Sequence, residues 1–202
     1  SMFIGALAFN QDIGAWDVSN VANMQGMFAY ASAFNQDIGA WDLSSVNTIS
    51  SMFSGAGAFD QNISSWNVSN VTTMNFIFDS TSAFNQDIGA WDLSSVTSMQ
   101  GMFAYASAFN QDIGSWDVSN VTTMDGVFWN SLFNQPIGDW DVSSVITMAS
   151  MFRDASSFNR DISSWNIGSV TNMNQMFLGA TSFNQNINDW DVSSVTSMYQ
   201  LF

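Results

Sequence analysis

The stretch FNQDIGAWDV, residues Phe9–Val18, returns as FNQDIGAWDL from Phe34 and Phe84 and as FNQDIGSWDV from Phe109. A chain that repeats a decapeptide this closely is built by repetition, so periodicity decides the fold before any local pattern does. Tryptophan marks the period. It falls at 16, 41, 66, 91, 116, 140, 165 and 190, a spacing of 25 broken by one step of 24. The whole unit reads F-N-Q-D-I-G-x-W-D-V-S-x-V-T-x-M-x-x-M-F-x-x-A-x-x. Eight copies span residues 1–202 with no linker and no second domain. The short unit runs VFWNSLFNQPIG, with one residue missing before Phe133 and Pro136 where Asp usually stands. It makes the region near 126–137 the irregular coil.

One unit cannot bury its apolar side alone, whereas stacked units form a continuous core. In Trp16-Asp17-Val18 the alternation of apolar and polar residues predicts a short strand, with Trp and Val inward and Asp outward. Val21, Met24, Met27, Phe28, Ala31 and Phe34 follow mostly at steps of three, which predicts a turn and then short helical or 3₁₀ structure. The expected fold is a repeat solenoid of the right-handed parallel kind, with one short strand per 25-residue coil and eight coils.

Composition narrows the function. All 17 acidic residues are Asp, the only basic residues are Arg153 and Arg160, and the formal charge is −15. Such a surface disfavours nucleic acid and anionic membrane, and leaves cations, cationic proteins and neutral glycans as partners. His, Cys, Lys and Glu are absent. That removes catalytic triads, Schiff-base lysines and most zinc sites. Clustered Asp could serve a polysaccharide-degrading parallel β-helix. An active site, however, should be one unusual place, and these Asp recur in nearly every coil. The chain is therefore expected not to be an enzyme and to require no cofactor. No apolar run is long enough to span a bilayer.

Two acidic columns invite a metal reading. The first holds Asp17, Asp42, Asp92, Asp117, Asp141 and Asp191, with Asn67 and Asn166 interrupting. The second holds Asp12, Asp37, Asn62, Asp87, Asp112, Pro136, Asp161 and Asn186. Oxygen ligands stacked between coils could hold Ca²⁺. Equally, short Asp side chains could cap turns and keep the array soluble. The Asn column (Asn10, Asn35, Asn85, Asn110, Asn134, Asn159, Asn184, with Asp60 substituting) is expected to bond coil to coil through its amides. Residues that break the repeat are the candidate partner contacts: Tyr30, Tyr105, Trp129 and Tyr199. Trp129, in the irregular coil, either contacts a partner or fills the space the deletion leaves.

The spacing Ile13-x-x-Trp16-x-Val18-x-x-Val21 is similar to the L-x-x-L-x-L core of leucine-rich repeats. The unit FNQDIGSWDVSNVTTM (109–124) together with MFAYASAF (27–34) resembles the 25-residue repeat of BspA-like bacterial surface proteins. The chain departs from leucine-rich repeats in placing Trp, Met and Phe where Leu is usual. The resemblance implies a leucine-rich-repeat-like solenoid, exported and displayed at the cell surface, where adhesion to a protein or glycan is the usual proposal. A Ca²⁺-stiffened spacer of a large surface protein is the alternative. The uncapped apolar ends suggest a piece of a longer array, whose end-to-end association would be an artefact of truncation.

Overall fold

The computed structural model describes all residues, Ser1–Phe202. Each coil is a string of β-turns. In the coil that starts at Ile38, backbone bonds close Ile38–Trp41, Leu43–Val46, Ile49–Met52, Phe53–Ala56 and Ala56–Phe59, each from the fourth residue's N–H to the first residue's C=O. Every residue at a turn end is buried. The three-residue rhythm of the sequence is thus a turn rhythm. A β-turn brings its first and fourth residues within 7 Å or so, and both ends point inward. The two central residues face out or run along the wall.

This corrects the strand expected at Trp-Asp-Val. No strand forms there. Asp12 Oδ1 accepts the N–H of Gly14 at 2.9 Å, and Asp17 Oδ1 accepts the N–H of Ser19 at 3.1 Å. Each carboxylate bends the chain two residues onward, the Asx arrangement that competes with extended backbone. Trp and Val share a face because each closes or opens a turn, not because they alternate along a strand. The parallel pairing lies five residues beyond Val18, as single bridges joining Asn23, Thr48, Thr73, Ser98, Thr123, Thr147, Asn172 and Ser197 in one ladder. The helical or 3₁₀ segment expected after Val21 is also replaced by separate turns. Two of them carry a positive φ at the third residue, as type II turns do. These positions are Gly26 and Tyr30 in one coil, Ser51 and Gly55 in the next.

Coils are joined by two kinds of bond. On the bridge side the backbone itself pairs: Met24, Gly26, Phe28 and Tyr30 donate to the carbonyls of Thr48, Ser50, Met52 and Ser54. On the opposite side, side chains take over. Asn35 N–H donates to Asn10 Oδ1 at 2.9 Å, and Gln36 Nε2 donates to the same oxygen at 3.0 Å. The pattern repeats up the array, and Arg160 replaces Gln by donating Nε to Asn134 O at 2.7 Å. Asp60 fits the Asn column because only its acceptor oxygen is used, by Asn85 N–H and Gln86 Nε2. From Trp41 to Trp190, each indole of the Trp column also donates to the Ile carbonyl of the preceding coil, as Trp91 Nε1 does to Ile63 O at 3.1 Å.

Inside run aromatic columns. Phe53, Phe78 and Phe103 stack from coil to coil at 5.6–6.0 Å, and each pairs within its coil to Phe59, Phe84 or Phe109 at 3.9–4.0 Å. Centroid separations of this size suit stacked rings. The columns pass through the shortened coil unbroken: Phe133 stays fully buried, 4.1 Å from Phe128 and 6.2 Å from Phe109. What the deletion removes is the last turn of that coil. Its bond is replaced by Phe133 N–H donating to the buried Ser131 Oγ at 3.2 Å.

Candidate aromatic face

The residues that lead up to and occupy the positive-φ positions form one side of the stack. A left-handed conformation costs an ordinary residue about 1–2 kcal/mol, and glycine supplies it freely. Several coils use Gly there, namely Gly26, Gly55, Gly101, Gly126 and Gly179. Others use small or polar residues, as at Ser51, Ser80, Asn130, Ser150, Asp154, Gln175 and Gln200, and three use aromatics, Tyr30, Phe76 and Tyr105, at φ of 58°, 56° and 56°. Each of these three rings is substantially exposed. Two of them lie across the glycine of the following coil. A Cβ on Gly55 would meet Tyr30 Cδ1 at 2.6 Å, and one on Gly101 would meet Phe76 Cδ1 at 2.4 Å. Bare glycine is therefore required beneath each ring.

Of the four expected contact residues, the structure brings two together. Tyr105 and Trp129 have ring centroids 5.2 Å apart and tilted by 49°. Arg153 sets its guanidinium carbon 4.9 Å from the Trp129 centroid, a cation–π distance. Trp129 Nε1 donates to Asp154 Oδ2 at 3.3 Å, and Arg153 donates through Nη1 to Gln175 Oε1 at 2.8 Å. Arg153 Nε lies 3.4 Å from Asp154 Oδ2, an ion pair without hydrogen-bond alignment. Trp129 is half-buried in this cluster on the outer side. It does not fill the gap of the irregular coil, because the missing turn lies just beyond it at 131–132. Tyr30 and Tyr199 stand apart. Tyr30 lies three coils before Tyr105 and Tyr199 three coils after Trp129, roughly 15 Å in each case at a coil spacing near 4.8 Å.

Three participants escaped the sequence reading. Phe76 stands where neighbouring coils carry Gly101 and Gly126, so it breaks the repeat as plainly as Tyr30 does. Its surroundings, MNFIFDS, read as core-like and hid it. Arg153 stood out in the sequence only as one of two basic residues, and Asp154 not at all. Their place over Trp129 needs the coil register that the deletion shifts.

The Asp columns are turn caps. Asp17, Asp42, Asp92, Asp117, Asp141 and Asp191 all face solvent, and each gives Oδ1 to the N–H of the Ser two residues on. The Ser19 and Ser94 hydroxyls, then the same residues' N–H groups, hold the Asp17 and Asp92 carboxyls below the usual carboxylate range. At Asp42 the Ser44 contacts dominate, and the Asp17 charge one coil away acts weakly in the opposite sense. The second column caps in the same way, so its Asp and the first column's Asp share one role. The structure gathers no three acidic groups around a point that could hold a metal ion. The residues form a column rather than a cage.

Asp79 behaves oppositely. It sits half-buried in the column position that Trp129 and Arg153 occupy in later coils. Burial raises its carboxyl, against the Ser54 and Ser80 hydroxyls that donate to it at 3.1 and 3.2 Å. A carboxyl raised in the folded state opposes folding once ionised, and this cost is absent below the ordinary value near 3.9. Asp79→Asn is therefore expected to raise Tm by roughly 2 °C at pH 7, with the difference from wild type vanishing at pH 3 in a thermal melt.

No helix of the structure is long and apolar enough to cross a membrane. A family model described as "Mycoplasma protein of unknown function, DUF285" matches the chain at residues 1–72, 35–132 and 105–202. The three overlapping matches together cover the full length. Comparison with curated proteins gives no match.

Proposed function

The chain belongs to this DUF285 family, and from that membership and the aromatic face we propose that it is a non-enzymatic recognition segment of a cell-surface protein. In this reading the stacked coils are a right-handed, leucine-rich-repeat-like solenoid akin to BspA-type repeats, displayed outside the cell. The rigid stack serves as the spacer and its aromatic side as the contact surface for a protein or glycan.

One observation carries the reading. Tyr30, Phe76 and Tyr105 hold exposed rings on left-handed backbone that glycine fills in other coils. The other non-glycine residues at these positions are Ser51, Ser80, Asn130, Ser150, Asp154, Gln175 and Gln200, so what sets these three apart is the exposed ring rather than the strain. Large exposed aromatics are also the residue type that dominates binding surfaces. Repetition along the stack makes the expected binding multivalent, with weak single contacts adding through high effective concentration.

The chain immobilised at high density should capture ligands from arrays of extracellular-matrix proteins and glycans. Trp129→Ala should reduce that capture by about tenfold or more. Ala104 occupies the equivalent position one coil earlier, so this variant is expected to fold. A blank array at high density would overturn the proposal.

A further inference from the structure

A groove of about 260 Å³ opens on the aromatic face between Phe76 and Trp129, floored by Gly101 and Gly126 and edged by Gln100 and Asp125. It exists because three coils depart from their neighbours at once. Phe76 stands where the next two coils have Gly101 and Gly126 and forms one wall. Trp129 stands where the preceding coil has Ala104 and forms the other. Asp125 replaces the glutamine found one coil earlier and places a carboxylate on the rim. The Phe76 ring lies over Gly101, and beyond it the floor stays open at Gly126, which has no side chain to fill it.

The charge of the rim decides the occupant. Asp125 spends Oδ1 on Thr147 Oγ1 at 2.5 Å and on Ala149 N–H at 2.8 Å. Its Oδ2 and the Gln100 amide make no hydrogen bond within the protein. The whole chain carries −15; Arg160 is bonded to Asn134 O, and Arg153, stacked on the Trp129 wall, is bonded to Gln175 Oε1. A negative rim on a strongly negative chain disfavours an acidic partner and draws a basic one. The same face already seats one basic side chain, since Arg153 lies over Trp129 and bonds Gln175 beside it. We propose that this groove is a docking site for an arginine or lysine side chain of a basic protein partner. The cation meets the Asp125 carboxylate while its aliphatic stem packs against the Phe76 ring.

This assignment rests on the surface-recognition reading above and narrows its partner to a basic protein. The proposed contacts are a charge-assisted hydrogen bond and apolar packing along the stem. The groove is small for a complete ligand, which usually needs 300 Å³ or more, and suits one side chain of a larger partner.

The test uses the full chain and an acetylated, amidated Gly-Arg-Gly-Arg-Gly peptide, followed by NMR titration at about 0.15 M salt, where charges beyond ~8 Å are screened. Two variants restore the residues of the neighbouring coil, Phe76→Gly as at Gly101 and Asp125→Gln as at Gln100. Neither removes a core side chain, and Phe76→Gly relieves a left-handed strain, so both are expected to fold. Saturable binding should weaken by about fivefold in each, and be unchanged in Asp117→Asn, whose carboxylate lies on another column. Equal weakening in Asp117→Asn would assign the binding to the diffuse charge of the chain and overturn the site. So would equal binding of the Gly-Gln-Gly-Gln-Gly peptide, or no binding at all. Array capture that persists while the arginine peptide fails would sink the basic-partner assignment alone, whereas a blank array removes the recognition reading as well.

Discussion

Trp91→Ala should cost about 3–5 kcal/mol of stability, lowering Tm by roughly 10 °C in a chain of this size. The indole is buried in the fourth coil, 6.4 Å from the Trp66 ring and 6.2 Å from Phe78. Removing it leaves a cavity between coils that share one continuous core, and collapse is resisted from above and below. It also removes one of the two N–H groups that Ile63 O accepts, the other being the Trp66 backbone N–H. Trp91→Phe separates the two contributions. It keeps an aromatic rung and loses only the indole bond, while Ile63 O still accepts the Trp66 N–H, which should cost about 0.5–1.5 kcal/mol. Trp16→Ala is the internal control. Its ring is 40% exposed in the first coil, so the same truncation should cost less than about 1.5 kcal/mol. In a stack whose stability is a sum over coils and their interfaces, a central defect also divides the array. The Trp91→Ala melt should broaden or split, followed by near-ultraviolet circular dichroism, while Trp16→Ala should only fray one end. Equal shifts for Trp16→Ala and Trp91→Ala would contradict a stacked-coil energy.

Much of this architecture was legible in the sequence because repetition is a global signal. Trp spacing located every coil, and the apolar columns of Ile, Trp, Val, Met and Phe fell where the core lies. The local conformation was harder. Trp-x-Val alternates, and alternation is what a strand would show. Yet Asp17 is a side chain that can take the N–H two residues ahead, and in every coil the residue at this position does so. Short-range capping won over extended backbone, and the sheet shrank to a ladder of single bridges at Thr and its equivalents. Positive φ was harder still. Gly26 and Gly101 announce a left-handed turn, but Tyr30, Phe76 and Tyr105 at related positions do not. Their conformation is imposed by the coils on either side. The contact cluster shows the same limit. Tyr105 and Trp129 were legible as departures from the repeat, whereas their meeting with Arg153 depends on which residue of a 24-residue coil was lost. A single sequence leaves that register open by one position.

Phe103→Ala should be as damaging as Trp91→Ala, about 3–5 kcal/mol, and its origin can be dissected more finely. The Phe103 ring is fully buried at the crossing of two aromatic rows. It stacks on Phe78 at 5.6 Å and Phe128 at 5.9 Å along the array, and on Phe109 at 4.0 Å within the coil. Phe103→Leu retains much of the volume, so it should cost about 1.5 kcal/mol or less if space-filling alone matters. A larger cost would reflect the flat shape the gap requires. Leu cannot lie between rings held parallel within 12°, and its branch would push neighbouring coils apart. A double-mutant cycle of Phe103→Leu with Phe109→Leu isolates the pair, and stacked aromatic pairs contribute about 0.5–1.5 kcal/mol beyond area burial. The coupling measured by urea denaturation should fall in that range. The backbone bonds from Phe103 N–H to Val127 O and from Gly101 N–H to Asp125 O run beside the ring, so a coil displaced by Leu would also loosen the bridge side. Hydrogen exchange at Phe103 and Gly101 should then quicken in Phe103→Leu. A coupling near zero with exchange unchanged would mean that the aromatic columns fill space without setting the distance between coils.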